Sequence, residues 1–130
     1  MPYQTYWDEQ LTDLYHIVLT ENWTWVEFRE VVKISYEMLG KLERDIDLVI
    51  AFQSDLPIGS AIMHFTYAGE QPKNIRHTVL LNSTKLTTKE FVETVIGAVD
   101  RMKGWQGPKF VVTLGEARAY IRELRDKDTV

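Results

Sequence analysis

Three copies of a helix-start signal constrain the fold of this chain more than any other feature. Each is a Thr-x-x-Glu capping box, and the boxes begin at Thr24, Thr87 and Thr113. In such a box the threonine hydroxyl accepts a hydrogen bond from the backbone N–H three residues on, and the glutamate carboxylate accepts one from the threonine N–H. Each box follows a β-branched, apolar stretch, so the repeating unit is predicted to be a strand, a tight turn and a helix.

The spacing of apolar residues places the elements between these starts. Short apolar runs bounded by turn residues predict strands over residues 3–7, 14–20, 46–52, 75–82 and 109–112. Apolar residues at three- and four-residue steps predict helices from Trp25 to about Leu42, over 61–68, over 91–103 and from residue 114 onwards. We expect Trp23 to pack against Phe28 as a hydrophobic staple at the first helix.

This order, ββαβαβαβα, predicts the fold class. A hairpin of the first two strands followed by alternating strands and helices is typical of α/β proteins, in which crossover connections make the strands parallel. We therefore expect one α/β domain over residues 1–130, with a five-stranded mixed, mostly parallel sheet and four helices.

Composition excludes several classes of function. The net charge is −4 and the charged tail alternates in sign, so nucleic acid is not an expected partner. The longest apolar stretch, residues 48–52, is far shorter than the roughly 18 residues of a membrane span. The chain begins without a basic segment followed by an apolar one, and it has no cysteine. We expect no membrane span and a cytoplasmic location.

Neither a metal site nor a nucleophile is indicated by the residues that could form one. His16, His64 and His77 lack the spacing of metal ligands, although the strands carrying His16 and His77 could be neighbours. No Gly-x-Ser-x-Gly elbow surrounds Ser54 or Ser60. We expect no metal, no cofactor and no enzyme, and a hydrolase is the weakest of the functions considered.

Three segments of the chain resemble the STAS family, and in particular its SpoIIAA-like stand-alone bacterial members. They are residues 23–28 after the second strand, 46–50 in the central strand and 111–117 before the last helix. The resemblance implies a non-enzymatic regulatory domain that binds a protein partner, such as a regulatory kinase or an anti-sigma-like factor. It implies contact through the loop after the third strand and the start of the second helix. A monomer and a homodimer are both compatible with the sequence.

The candidate contact residues lie in that loop, at the carboxyl edge where ligands of open parallel sheets bind. They are Ser54, Asp55, Pro57, Gly59 and Ser60. The antagonist branch of the family carries Asp-Ser-x-Gly here, with a phosphorylated serine. This chain lacks that motif, so both Ser54 and Ser60 are candidates. Helix capping is an equally good interpretation of Ser54, Asp55 and Ser60.

A second function class stays open. The SpoIIAA-like group has also been likened to lipid-carrying domains of the Sec14 type, whose cavity lies under a mobile helix. The residues suited to line such a cavity, and so to hold a small apolar or lipid-like ligand, are Ile58, Ala61, Ile62, Met63 and Phe65.

Overall fold

Five strands and three helices are described by the computed structural model, which covers residues 2–54, 57, 61–82 and 109–128, without the side chains of residues 61 and 62. The elements are β1 (Tyr3–Trp7), β2 (Leu14–Leu19), α1 (Trp25–Gly40), β3 (Ile46–Phe52), α2 (Ala61–Ala68), β4 (Ile75–Asn82), β5 (Lys109–Val111) and α3 (Leu114–Asp128). The predicted helix over 91–103 and its capping box at Thr87 lie outside the described residues.

The strands form one sheet in the order β1-β2-β3-β4-β5. β1 pairs with β2 antiparallel, as the predicted hairpin requires, and β2 to β5 are parallel. The α/β class and the mixed, mostly parallel sheet are therefore confirmed. The suggestion that His16 and His77 lie on neighbouring strands is wrong, because β3 separates them: His16 is opposite Val49, and His77 is opposite Asp47 on the other side of β3.

Helices cover both faces of this sheet. On one face, Phe28 of α1 and Phe65 of α2 pack with the strand residues that share the side of Ile17 and Ile50. On the other face, Ala117 and Ile121 of α3 pack on the alternate strand residues. Every residue of β2 and β3 is buried, which explains why β3, apart from Asp47, is apolar on both faces rather than alternating.

The first capping box is formed in full. Glu27 N–H donates to the Thr24 hydroxyl at 3.3 Å, and Thr24 N–H donates to the Glu27 carboxylate at 3.0 Å. The predicted staple is present too, with the Trp23 and Phe28 ring centroids 6.0 Å apart. The third box is formed in part: Glu116 N–H donates to the Thr113 hydroxyl at 3.1 Å, but the Glu116 carboxylate accepts from Val112 N–H.

α1 ends at Gly40, two residues before the end of the predicted apolar stripe. The Asn74 side chain caps this end, because its amide donates to the carbonyl of Leu39 at 2.7 Å and to that of Arg44 at 3.0 Å. A Cβ atom on Gly40 would lie 3.3 Å from Pro72, so the loop before β4 approaches the helix closely at this point. The end of α1 is therefore set in part by a hydrogen bond from a residue 35 positions away in sequence.

Thr24→Ala is expected to lower the free energy of unfolding by about 1 kcal/mol, the usual contribution of an N-cap side chain. The physical reason is that the Glu27 N–H loses its acceptor, the Thr24 hydroxyl, and that this hydroxyl no longer donates to the Glu27 carboxylate. Urea denaturation of the variant measures the change, with Thr12→Ala in the exposed β1–β2 turn as the control. Equal stabilities of the two variants would contradict this assignment of the cap. From sequence alone, Thr87→Ala is expected to cost about as much.

Candidate functional site

The loop that follows β3 begins at the carboxyl edge of the sheet and is tied to the end of β2. Gln53 N–H donates to the Leu19 carbonyl at 2.9 Å, and the Ser54 hydroxyl donates to the Thr20 carbonyl at 3.1 Å. Of the predicted contact residues, the structure describes Ser54 and Pro57, whereas Asp55, Gly59 and Ser60 lie outside the described residues, as does the lining candidate Ile58.

Trp25, the first residue of α1, connects this loop to both helices on that face. Its indole Nε1 donates to the Pro57 carbonyl at 3.1 Å. Its ring stacks on the His64 imidazole of α2, with centroids 4.6 Å apart and an angle of 7° between the planes. The sequence predicts Trp25 as a core residue only; its buried ring fits that prediction, but the indole N–H also binds the Pro57 carbonyl.

The His64 imidazole lies between Trp25 and Arg29. Arg29 Nε donates to His64 Nδ1 at 2.8 Å, so Nδ1 accepts and the neutral ring carries its proton on Nε2. Burial, and then the nearby Arg29 charge, lower the pKa of His64. The Arg29 guanidinium also lies 4.6 Å from the centre of the Tyr67 ring. A neutral His64 thus joins the first turn of α1 to α2, 35 residues away in sequence.

The two described lining candidates have opposite surroundings. Phe65 is buried, and its ring centroid lies 5.7 Å from Trp25, 5.8 Å from Phe28 and 5.8 Å from Phe52. Met63, two residues earlier on α2, is 56% exposed. Val26, the residue after Trp25, is 78% exposed. Ala61 and Ile62 lie on α2, and their side chains are outside the described set.

A second polar cluster lies on the opposite face of the sheet. The side chain of Asp8, after β1, is fully buried and accepts from His16 Nε2 at 2.7 Å and from Arg118 Nη2 of α3 at 3.0 Å. The same carboxylate accepts from the N–H groups of Gln10 and Leu11. Burial alone would raise the pKa of Asp8, but these hydrogen bonds outweigh it and hold the pKa well below its usual range.

The same arrangement occurs at the start of β3 and β4. The Asp47 carboxylate, which is nearly buried, accepts from Arg125 Nε of α3 at 2.8 Å and lies 2.8 Å from His77 Nδ1. Arg125 also donates to the Asp13 carbonyl at 3.2 Å. Arg118 and Arg125, which lie on the same face of α3, therefore bind two buried carboxylates. These contacts attach α3 to β2, β3 and β4 and to the residue that follows β1.

Chemically, these Asp–His pairs have the geometry of acid–base dyads. His16, however, is buried beneath the Tyr6 ring, with centroids 4.6 Å apart, and burial lowers its pKa despite the Asp8 contact. We therefore assign the Asp8–His16 pair to the attachment of α3, and the Asp47 carboxylate is bound by Arg125 of the same helix. In the described part of the chain, no three His, Asp or Glu side chains are grouped as metal ligands.

The cluster of Asp8, Asp47 and the α3 arginines was not predicted from the sequence, although two sequence signals point to it. Asp47 interrupts an otherwise apolar strand, and a carboxylate in such a strand needs a partner. Arg118, Arg122 and Arg125 recur at helical spacing on α3. Both signals identify charged residues that require partners, but neither identifies which residues those partners are.

The fold and these contacts define the class of protein: an α/β domain with a five-stranded mixed sheet and a polar loop at its carboxyl edge. No helix within the described residues has the length and apolar character needed to cross a membrane. No family model matches the chain, and comparisons with curated proteins and with solved structures give no match.

Proposed function

We propose that this domain is a regulatory protein-binding module of the STAS type. Its contact surface, here called the carboxyl-edge surface, consists of Val26, Ser54, Pro57 and Met63. The observation that carries the proposal is the exposure of two large apolar side chains, Val26 and Met63, next in sequence to the stacked Trp25 and His64 rings. Because Trp25 and His64 are in contact, Val26 and Met63 lie on adjoining segments of α1 and α2, and exposed apolar side chains beside polar groups are a feature of protein interaction sites.

The hydrogen bonds beneath this surface support the same proposal. Trp25 Nε1 holds the Pro57 carbonyl, and the Ser54 hydroxyl holds the Thr20 carbonyl. Both bonds fix backbone that would otherwise have to be ordered when a partner binds, and such preorganisation lowers the entropic cost of association. The resemblance to the STAS family adds the class of partner: a regulatory kinase or an anti-sigma-like factor.

The packing under α2 favours this function over a carrier of lipid-like ligands. Three aromatic rings lie within contact distance of the Phe65 ring, which occupies the space beneath the helix. An apolar ligand at that position would have to displace Phe65. The carrier therefore enters the experiment as an alternative outcome: native mass spectrometry of the purified protein would detect a bound lipid as added mass.

The test compares Val26→Asp and Met63→Asp with wild type in a pull-down from the source cell, followed by titration of the recovered protein as a purified partner. We expect each variant to raise the Kd by about tenfold or more, because a carboxylate would be desolvated against an apolar contact. Ile34→Asp is the matched control, since Ile34 is an exposed apolar residue further along α1. Equal affinities for wild type and both edge variants would exclude this surface.

Phosphorylation of the loop is tested in the same assay with Ser54→Asp and Ser60→Asp. A phosphate adds about −1.5 to −2 charges at pH 7 to a loop that already contains Asp55. We expect the resulting like-charge repulsion to weaken the contact with the partner. A serine on α1 would be the natural control, and the predicted helix contains Ser35. Ser35 is buried, however, so Ser35→Asp would place a carboxylate in the core. Lys33→Asp, at an exposed position two residues earlier, is the control instead.

A further inference from the structure

β1 is an edge strand without the features by which edge strands usually avoid pairing. It lies at one end of the strand order, and within the described ranges β2 is the strand bonded to it. Its residues, Tyr3 to Trp7, include no proline and no charged side chain. Tyr6 and Trp7 are each 40% exposed. Natural edge strands are usually protected by lysine, proline or a bulge, so β1 is open to a further strand.

The register of β1 on β2 shows which backbone groups are available. Thr20 N–H donates to the Pro2 carbonyl and Asp8 N–H donates to the Leu14 carbonyl, at 2.9 and 2.8 Å. Hydrogen-bonded pairs alternate along an antiparallel ladder, so the even-numbered residues of β1 bond to β2. The N–H and C=O groups of Tyr3, Thr5 and Trp7 therefore point away from β2, toward the open side.

This set of groups is symmetric about Thr5, and we propose that β1 pairs antiparallel with β1 of a second copy of this chain, extending the sheet across a two-fold axis. In that register Thr5 is opposite Thr5, and Tyr3 is opposite Trp7, so every outward N–H meets an outward C=O. The facing Tyr3 and Trp7 side chains form aromatic cross-strand pairs, which are among the favourable pairs in antiparallel sheets.

Charges beside the strand complement each other in the same register. Burial, followed by the negative charges of Glu30 and Glu27 on α1, raises the pKa of Tyr3, at one end of β1. The Arg44 guanidinium lies 5.6 Å from the centre of the Trp7 ring at the other end. In that register Arg44 of one copy lies at the same end of the paired strands as Tyr3 of the other, where the charges of Glu27 and Glu30 act. Arg44 donates to Asp13 through Nε, and a guanidinium has further N–H donors.

The experiment uses the full chain at concentrations from micromolar to about millimolar. Sedimentation velocity is expected to show a monomer–dimer equilibrium. Amide hydrogen exchange is expected to show slower exchange at Tyr3, Thr5 and Trp7 in the dimer than in the monomer, with Gln4 and Tyr6 protected in both. A chain that stays monomeric, or a dimer with unprotected odd-numbered amides, would overturn the proposal.

Two substitutions at Thr5 test the register. Thr5→Lys places two like charges opposite each other at the axis, and Thr5→Pro removes two hydrogen bonds across it while sparing those to β2. Each is expected to raise the dimer dissociation constant by about tenfold or more, with unchanged urea unfolding of the monomer. Thr12→Lys, in the exposed turn, is the matched control and should dimerise like wild type. Dimerisation at wild-type strength by both Thr5 variants would refute this interface.

Discussion

Asp8→Ala is expected to lower the free energy of unfolding by about 3–5 kcal/mol, the usual cost of removing one partner from a buried ion pair. Its carboxylate is fully buried and accepts from His16, Arg118 and two backbone N–H groups. All of these donors lose their acceptor at once in the variant, and the Arg118 charge stays largely buried. Urea denaturation followed by circular dichroism measures the loss.

The control for this prediction is Glu9→Ala, which removes an exposed carboxylate from the next residue. Its effect should stay within about 0.5 kcal/mol, as for most surface substitutions. Asp8→Asn retains the shape and one acceptor but loses the charge, so it should fall between wild type and Asp8→Ala. A cost of Asp8→Ala no larger than that of Glu9→Ala would show that Asp8 does not hold α3 on the sheet.

The pH dependence of stability provides an independent measurement of the same group. Because the pKa of Asp8 is lower in the folded protein than in the unfolded chain, the unfolded chain binds more protons in acid. The contribution of Asp8 is therefore complete above the unfolded pKa of about 3.9 and is lost as the pH falls toward the folded value. Asp8→Asn should lose less stability than wild type over this acid range.

His16 also makes the protein less stable as the pH falls, but over a higher pH range than Asp8. Burial lowers its pKa in the folded protein, so stability is complete above the unfolded value of about 6.5 and declines as the pH falls below it. His64, whose pKa is also lowered, contributes in the same sense. Wild type should therefore begin to lose stability below about pH 6.5, before Asp8 is protonated.

Local sequence signals were sufficient to predict the elements that the structure describes, whereas the helix over 91–103 stays a prediction. The limits of β3 and α2 follow from an apolar run and from the residues that flank it, and both agree with the structure. The Thr24 box predicts the start of α1 for the same reason, because all its partners lie within three residues. Signals of this kind need no knowledge of which segments meet in space.

The contacts that build the candidate sites, in contrast, join residues that are far apart in sequence. Trp25 Nε1 and the Pro57 carbonyl are 32 residues apart, and Arg118 and Asp8 are 110 apart. Each pairing depends on the strand order, which the sequence left open, and on which side of a helix faces the sheet. Ser35 illustrates the second point: its position on α1 was predicted, but its buried orientation was not.

Phe65→Ala is the variant that distinguishes a packed core from a ligand cavity. If the ring is a core residue, its removal leaves a cavity among Trp25, Phe28 and Phe52, and the free energy of unfolding should fall by about 3–5 kcal/mol. If the ring lines a pre-existing cavity, fewer contacts are lost and the cost should be closer to 1 kcal/mol. We expect the larger value, measured by urea denaturation of protein freed of bound lipid.

Met63→Ala is the matched control, because Met63 lies on the same helix and is exposed. It should change the stability by less than about 0.5 kcal/mol while weakening the partner contact. We expect Phe65→Ala to lower stability and Met63→Ala to weaken partner binding. These results would be consistent with α2 packing into the core through Phe65 and contacting a partner through Met63. If Phe65→Ala costs little and wild type holds a lipid, the carrier replaces the binding module, because a ligand rather than the ring then fills the space under α2.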